Sequence, residues 1–203
     1  RGPMHYSLEE KAKLFARQVH HQADQKRKYS NAPYIVHPQA VAELIRHTGA
    51  DEAMLAAAWL HDTLEDTPTT FGQLQQLFGQ EVAVLVEMLT NPQTSENDTR
   101  LQKKQRHLQH TAKACAKAQT IKLADIIDNT KDIVDNDPEF APVYLVEKQI
   151  QIELLRDGDP GLWQQAEAQI SHAIARLCQP PYNMPASWFT HQTEKYLSGP
   201  LTG

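Results

Sequence analysis

Apolar positions along the chain recur at spacings of three and four, between polar stretches that carry proline, glycine, serine, threonine, asparagine and aspartate. This is the rhythm of amphipathic helices around a shared core, and no stretch alternates as a half-buried strand would. Ser7-Leu8-Glu9-Glu10 has the form of a capping box and opens a helix to about Gln22. Residues 24–36 are polar and read as a loop. Pro38 falls in the first turn of a helix to about His47, stopped by Gly49. Asp51 caps the next helix, which the pattern carries through AMLAAAWLHDTLED as far as about Leu64. Thr69 or Thr70 starts a short helix to Phe78, Gly79 breaks it, and EVAVLVEMLT forms another. After a polar loop at 91–98, helices are predicted over about 99–116 and 119–134. Two more run from Asp137-Pro138 to about Arg156 and from Asp159-Pro160 to about Cys178, and a last short one lies in the proline-bearing tail. The expectation is an all-α fold, one helical bundle in a single domain over residues 4–203, with Arg1-Gly2-Pro3 before Met4 set aside as a remnant.

Composition narrows the partners. With 203 residues, 40% apolar and 7% aromatic, the chain is an ordinary soluble one, long enough to bury a substantial core. No apolar run approaches the ~20 residues of a membrane span, and no secretory signal is visible, so no membrane partner and a cytoplasmic location are expected. A net charge of −5 argues against a nucleic-acid partner and leaves room for a small anion in a local basic pocket. Cys115 and Cys178 stand far apart and outside any CxxC pattern, as plain reduced thiols do.

The 53–66 stretch raises a chemical question. At ~100° per residue, His61 aligns with Glu65 and Asp62 with Asp66, all within an arc of roughly 140°. Apolar residues 55–60 surround the helix upstream, so it is expected to be buried. A bare carboxylate at such a place costs several kcal/mol, and a divalent cation would neutralise Asp62 and take His61 as a neutral ligand. The competing reading is a hydrated helix end. His37, just before a helix, reads by itself as a capping or surface histidine. In IKLADIIDN, Asp125 stands three after Lys122 and four before Asn129, and taken alone would simply pair with the lysine. Gathered together, two histidines and two aspartates from three helices would make an N/O site suited to Mn²⁺, Fe²⁺ or Zn²⁺ carrying water.

The order His37, then His61-Asp62, then Asp125 resembles the ligand order of the HD-domain metal phosphohydrolases. More narrowly, RKYSNAPYIVHPQAVAELI, LAAAWLHDTLEDT, FGQEVAVLVEMLT and IKLADIIDN resemble the hydrolase domain of the RelA/SpoT family and its small stand-alone MESH-type alarmone hydrolases, over about residues 5–155. The resemblance implies a Mn²⁺-dependent hydrolase that removes pyrophosphate from the 3′ position of a guanosine 3′,5′-bis(diphosphate) or a close adenosine analogue. It implies His37, His61, Asp62 and Asp125 as metal ligands, Glu65 and Asp66 acting on the attacking water, and Asn129 at the substrate. Arg27 and Lys28 match a pair that holds the nucleotide. Where stand-alone members carry an arginine and then a tyrosine four residues later, this chain has Tyr144 and Lys148, which the same comparison places at the substrate end. Two further departures are Ser30-Asn31-Ala32 in place of the usual glycine, and Asp128 beside Asn129. The helices of 156–203, with Trp163, Ile170, Ile174 and Leu177 at helical spacing, read as packing or a homo-oligomer interface. Two alternatives remain open: an HD-family phosphohydrolase or nucleotidase acting on other nucleotides, and a metal-stabilised binding domain without turnover.

Overall fold

Helix starts follow the capping residues. In the computed structural model, which describes residues 5–24, 29 and 32–198, Ser7 accepts from the Glu10 amide at 3.1 Å and opens α1 (Leu8–Gln22). Asp51 accepts from the Met54 amide at 2.8 Å and opens α3 (Glu52–Leu60), which follows α2 (Val36–Arg46). Thr70 and Gln73 cap each other reciprocally at the start of α5 (Phe71–Phe78), and α6 (Gln80–Leu89) follows directly. Gly79, between them, has φ +92°, a left-handed backbone that glycine adopts without a side-chain penalty. The four-residue α4 (Thr63–Asp66) lies between α3 and α5.

The chain forms two compact units, the first ending at Thr90. In this unit α3 is the centre. Every residue from Ala53 to Leu60 is buried, and α1, α2 and α6 pack against it. The run Ala56-Ala57-Ala58 lets those neighbours come close from several sides. A partly buried polar knot ties three of the helices. Glu9 of α1 accepts from the Trp59 indole of α3 at 3.1 Å and from the Arg46 guanidinium of α2. The Arg46 hydrogen bond, with help from Trp59, holds the Glu9 carboxyl below the usual carboxylate range against the opposing effect of burial.

The second unit begins at Asn91 and contains α7 (Arg100–Thr111), α8 (Ala116–Thr130), α9 (Ile133–Asn136), α10 (Ala141–Glu153), α11 (Pro160–Leu177) and α12 (Ala186–Leu197). The helix expected at 99–116 stops at Thr111 and the next starts at Ala116, because i→i+3 turns at Lys113 and Ala114 close the first and Gln119 reaches back to the Ala114 carbonyl at 2.9 Å. The helix expected from Asp137-Pro138 starts at Ala141, since the Asp137 carboxylate accepts from the Phe140 amide at 3.1 Å and holds a turn there. No β-strand forms among the described residues, so the all-α expectation holds. None of their helices is long and apolar enough to cross a membrane.

Buried α8 carries α11 on one side, and α11 also packs on α10. Ile170 and Leu177 face inward, as the helical spacing predicted. The α10–α11 corner is fixed by Gln119 accepting from the Asp157 amide at 3.0 Å and Thr120 from the Asp159 amide at 2.9 Å. Gly158 sits in that corner with no room to spare: a Cβ there would stand 2.8 Å from Leu123 Cδ1 and 3.1 Å from backbone atoms of Gln119 and Thr120. Gly158→Ala is therefore expected to cost about 1–3 kcal/mol through overpacking, read as a lower urea midpoint.

A second polar knot joins α7, α10 and α12. Buried Glu147 accepts two bonds from Arg100, at 2.9 and 2.8 Å, and one from the Tyr196 hydroxyl at 2.5 Å. Burial, and then the hydrogen bond to Glu147, push the Tyr196 phenol above its ordinary range.

Candidate metal centre

The centre is made by a break in a helix. The expected helix through Leu64 ends at Leu60, because side chains take the last carbonyls of α3. The His61 ring binds the Ala58 carbonyl oxygen through Nδ1 at 2.7 Å, and Thr63 Oγ1 donates to the Leu60 carbonyl at 2.7 Å. Asp62, with φ −101° and ψ 0°, is the corner residue before α4. The simple arc over 61–66 therefore does not apply, since two helices rather than one carry these residues.

A carbonyl oxygen can only accept, so the neutral His61 ring carries its proton on Nδ1 and leaves Nε2 bare. That Nε2 lies 3.0 Å from Asp62 Oδ2 and 3.2 Å from His37 Nε2, and His37 Nε2 lies 3.8 Å from the same carboxylate oxygen. Both rings are buried, and His37 comes from the first turn of α2. This overturns the capping or surface reading of His37. Three electron-rich atoms converge within 4.8 Å of one another. Two imidazoles and a carboxylate are a donor set that fits a divalent cation of the Mn²⁺, Fe²⁺ or Zn²⁺ kind.

The surrounding groups orient the ligands. Tyr34 donates its hydroxyl to Asp62 Oδ2 and lays its ring edge-on to His37, with centroids 5.9 Å apart. His20, from the last turn of α1, packs its ring 4.7 Å from that of Tyr34. Neither residue was assigned a role from the sequence. A signal for His20 existed: Ala12, Ala16 and His20 are all buried and recur every four residues, which puts an imidazole on the apolar stripe of α1.

The other predicted residues fall as follows. Glu65 is exposed on α4 and Asp66 is half-buried at its end. Arg27 and Lys28 lie outside the described residues. Asp125 lies on α8 in the second unit, buried, accepting from Lys122 at 2.9 Å and from the Asn129 amide at 3.0 Å. The pairing with Lys122 anticipated from spacing is thus present, and Asn129 shares the same carboxylate. Asp128 is buried and paired with Lys131 at 3.0 Å. On α10, Lys148 bonds to Gln151 at 3.0 Å and lies 5.1 Å from the centre of the Tyr144 ring. Lys104, His107 and Lys148 line one cavity. Burial first, then the nearby Lys122 and Lys104 charges, bring the Lys148 ammonium down to about 7.

An all-helical scaffold with a His-Asp pair at a helix break and a second histidine facing it defines a helical protein built around a cation site. The family profile described as the HD domain matches residues 12–152. The chain belongs to the HD domain family. Among curated proteins it is similar to the guanosine-3′,5′-bis(diphosphate) 3′-pyrophosphohydrolase MESH1 of Xenopus tropicalis, at 39% identity over 121 residues, 59% of this chain and 66% of that protein. It is also similar to the probable guanosine-3′,5′-bis(diphosphate) 3′-pyrophosphohydrolase of Synechocystis, at 39% identity over 132 residues, 64% of this chain and 17% of that protein. The chain thus spans just under two thirds of the first relative and a small part of the second. A solved structure described as a metazoan ortholog of SpoT that hydrolyzes ppGpp and plays a role in starvation responses superposes with a TM-score of 0.71 at 27% identity, covering 86% of this chain and 98% of that one.

Proposed function

We propose that the protein is a divalent-metal-dependent 3′-pyrophosphohydrolase of guanosine 3′,5′-bis(diphosphate) or a close analogue, acting as one hydrolase domain in the cytoplasm. The observation that carries this reading is the convergence of His37 Nε2, His61 Nε2 and Asp62 Oδ2 in a chain 39% identical to the Xenopus tropicalis enzyme. Mn²⁺ is the proposed ion, and the family's ligand order puts Asp125 forward as its fourth ligand. When bound, a divalent cation polarises a phosphoryl oxygen and lowers the pKa of water toward ~7.

The protein's own residues do the rest. His61 offers a bare nitrogen because the Ala58 carbonyl holds its proton on the opposite side of the ring. Tyr34 orients Asp62 through its hydroxyl. Glu65, on the short α4 that follows Asp62, is the proposed proton acceptor for the attacking water, and Asp66 orients it. Arg27 and Lys28 are proposed to hold phosphate charge, Arg as a fork and Lys as a point charge. Asn129, Tyr144 and Lys148 are proposed at the substrate, with Lys148 supplying a cation to a phosphate group. Free Cys115 and Cys178 agree with a reducing compartment.

The test is a product assay on the Mn²⁺-loaded protein with guanosine and adenosine 3′-pyrophosphates and ordinary nucleotides. Pyrophosphate released from a 3′-diphosphate is expected. Orthophosphate from a monophosphate alone would move the protein to the nucleotidase reading.

Lys148 adds a pH signature. With the ammonium at about 7, its charge is present below that pH and lost above it, so KM for the substrate is expected to rise as pH passes from 6 to 8. Lys148→Met should flatten that dependence. Between about 7 and the ordinary lysine value the unfolded chain binds the extra proton, so this residue makes stability rise with pH over that window.

A further inference from the structure

We propose that His20 is a positioning residue of the metal centre, whose imidazole nitrogen hydrogen-bonds the water or phosphoryl oxygen taken up beside His37, His61 and Asp62. The inference rests on the metal-centre reading above. His20 is 1% exposed, and both of its ring nitrogens are buried with no hydrogen-bond partner. Buried polar side chains are nearly always satisfied, and an apolar side chain of similar size would fill the same space without the desolvation cost. Packing alone therefore favours leucine or phenylalanine here, and the imidazole needs another reason.

Its surroundings supply one. The ring stacks at 4.7 Å and a 45° tilt on Tyr34, the residue whose hydroxyl donates to Asp62. The same tyrosine touches His37 edge-on, and His37 in turn meets His61 with centroids 5.0 Å apart. His20 is thus the far member of a row of rings that ends in the ligands. It feels all three ligand groups electrostatically: burial lowers its pKa to about 4, with Asp62 working in the opposite direction and His61 and His37 adding to the lowering. A neutral imidazole has one N–H and one lone pair. It can thus meet either a donor or an acceptor without adding positive charge next to a cation. Two unsatisfied nitrogens on a ring stacked against the tyrosine that holds Asp62 are the groups left to bind what the ion carries.

The test compares His20→Leu, which keeps volume and removes the nitrogens, with His20→Asn, which keeps hydrogen-bonding capacity. Metal-stripped full-length proteins are titrated with Mn²⁺ by calorimetry, with melting of the stripped proteins as the control for packing. The leucine variant is expected to melt no lower than the parent yet to bind Mn²⁺ about 10- to 100-fold more weakly, the range for residues that support metal ligands. The asparagine variant should recover a substantial part of the affinity. If the leucine variant fails to fold, His20→Phe, which keeps a flat ring against Tyr34, takes its place. Parental Mn²⁺ affinity in the apolar variant, or equal losses in the apolar and asparagine variants, overturns the proposal. If the parent itself binds no Mn²⁺, the metal-centre reading fails instead, which separates the two.

Discussion

His61→Ala is expected to strip the protein of its divalent cation and to lower turnover roughly a thousandfold or more. The change removes a buried nitrogen that lies 3.0 Å from Asp62 Oδ2 and 3.2 Å from His37 Nε2. Of the three converging donors it leaves one imidazole and one carboxylate, and with them a much weaker hold on the ion. A metal's stabilisation of developing charge on phosphorus is worth several kcal/mol, and each 1.36 kcal/mol is tenfold in rate. Metal content by elemental analysis and kcat at saturating Mn²⁺ check the two halves of the prediction. Glu65→Ala provides the contrast: it should reduce turnover while leaving metal content near normal, since Glu65 stands outside the three-atom cluster.

The largest effect on stability is expected at Glu147. Glu147→Leu leaves the Arg100 guanidinium and the Tyr196 hydroxyl without their shared acceptor. Breaking a buried ion pair from one side costs about 3–5 kcal/mol, because the remaining partner stays desolvated. The Arg100 side chain is 46% exposed and can recover some solvation, so about 3 kcal/mol is the expected loss. Urea denaturation measures it. The double variant Arg100→Met with Glu147→Leu should regain part of the loss, since no orphaned charge remains. An additive loss in the double variant would mean that packing between α7, α10 and α12, rather than the ion pair, carries the energy.

Much of this protein was legible in its sequence where the signal is local. Ser7, Asp51, Thr70 and Asp159 cap the helices they were expected to cap, because a hydroxyl or carboxylate three residues before an apolar run has one obvious partner. Gly49 and Gly79 end helices with positive φ. The break at His61-Asp62 was not legible, because periodicity counts apolar positions and is blind to a ring and a hydroxyl competing for the α3 carbonyls. The same blindness hid the start of α10, where the Asp137 side chain holds a turn. His37 shows the limit of judging one residue at a time: alone it resembled a surface cap, and only with His61-Asp62 beside it does it read as a candidate ligand. His20 was missed for a different reason. A histidine on an apolar stripe looks like filler until its nitrogens are found without partners.

The contact between the His61 ring and the Ala58 carbonyl has a consequence for how the ion is acquired. The proton is parked on the helix side before any metal arrives, so an approaching ion meets a lone pair rather than an N–H. An ion entering between His37, His61 and Asp62 would therefore displace no proton from this ring.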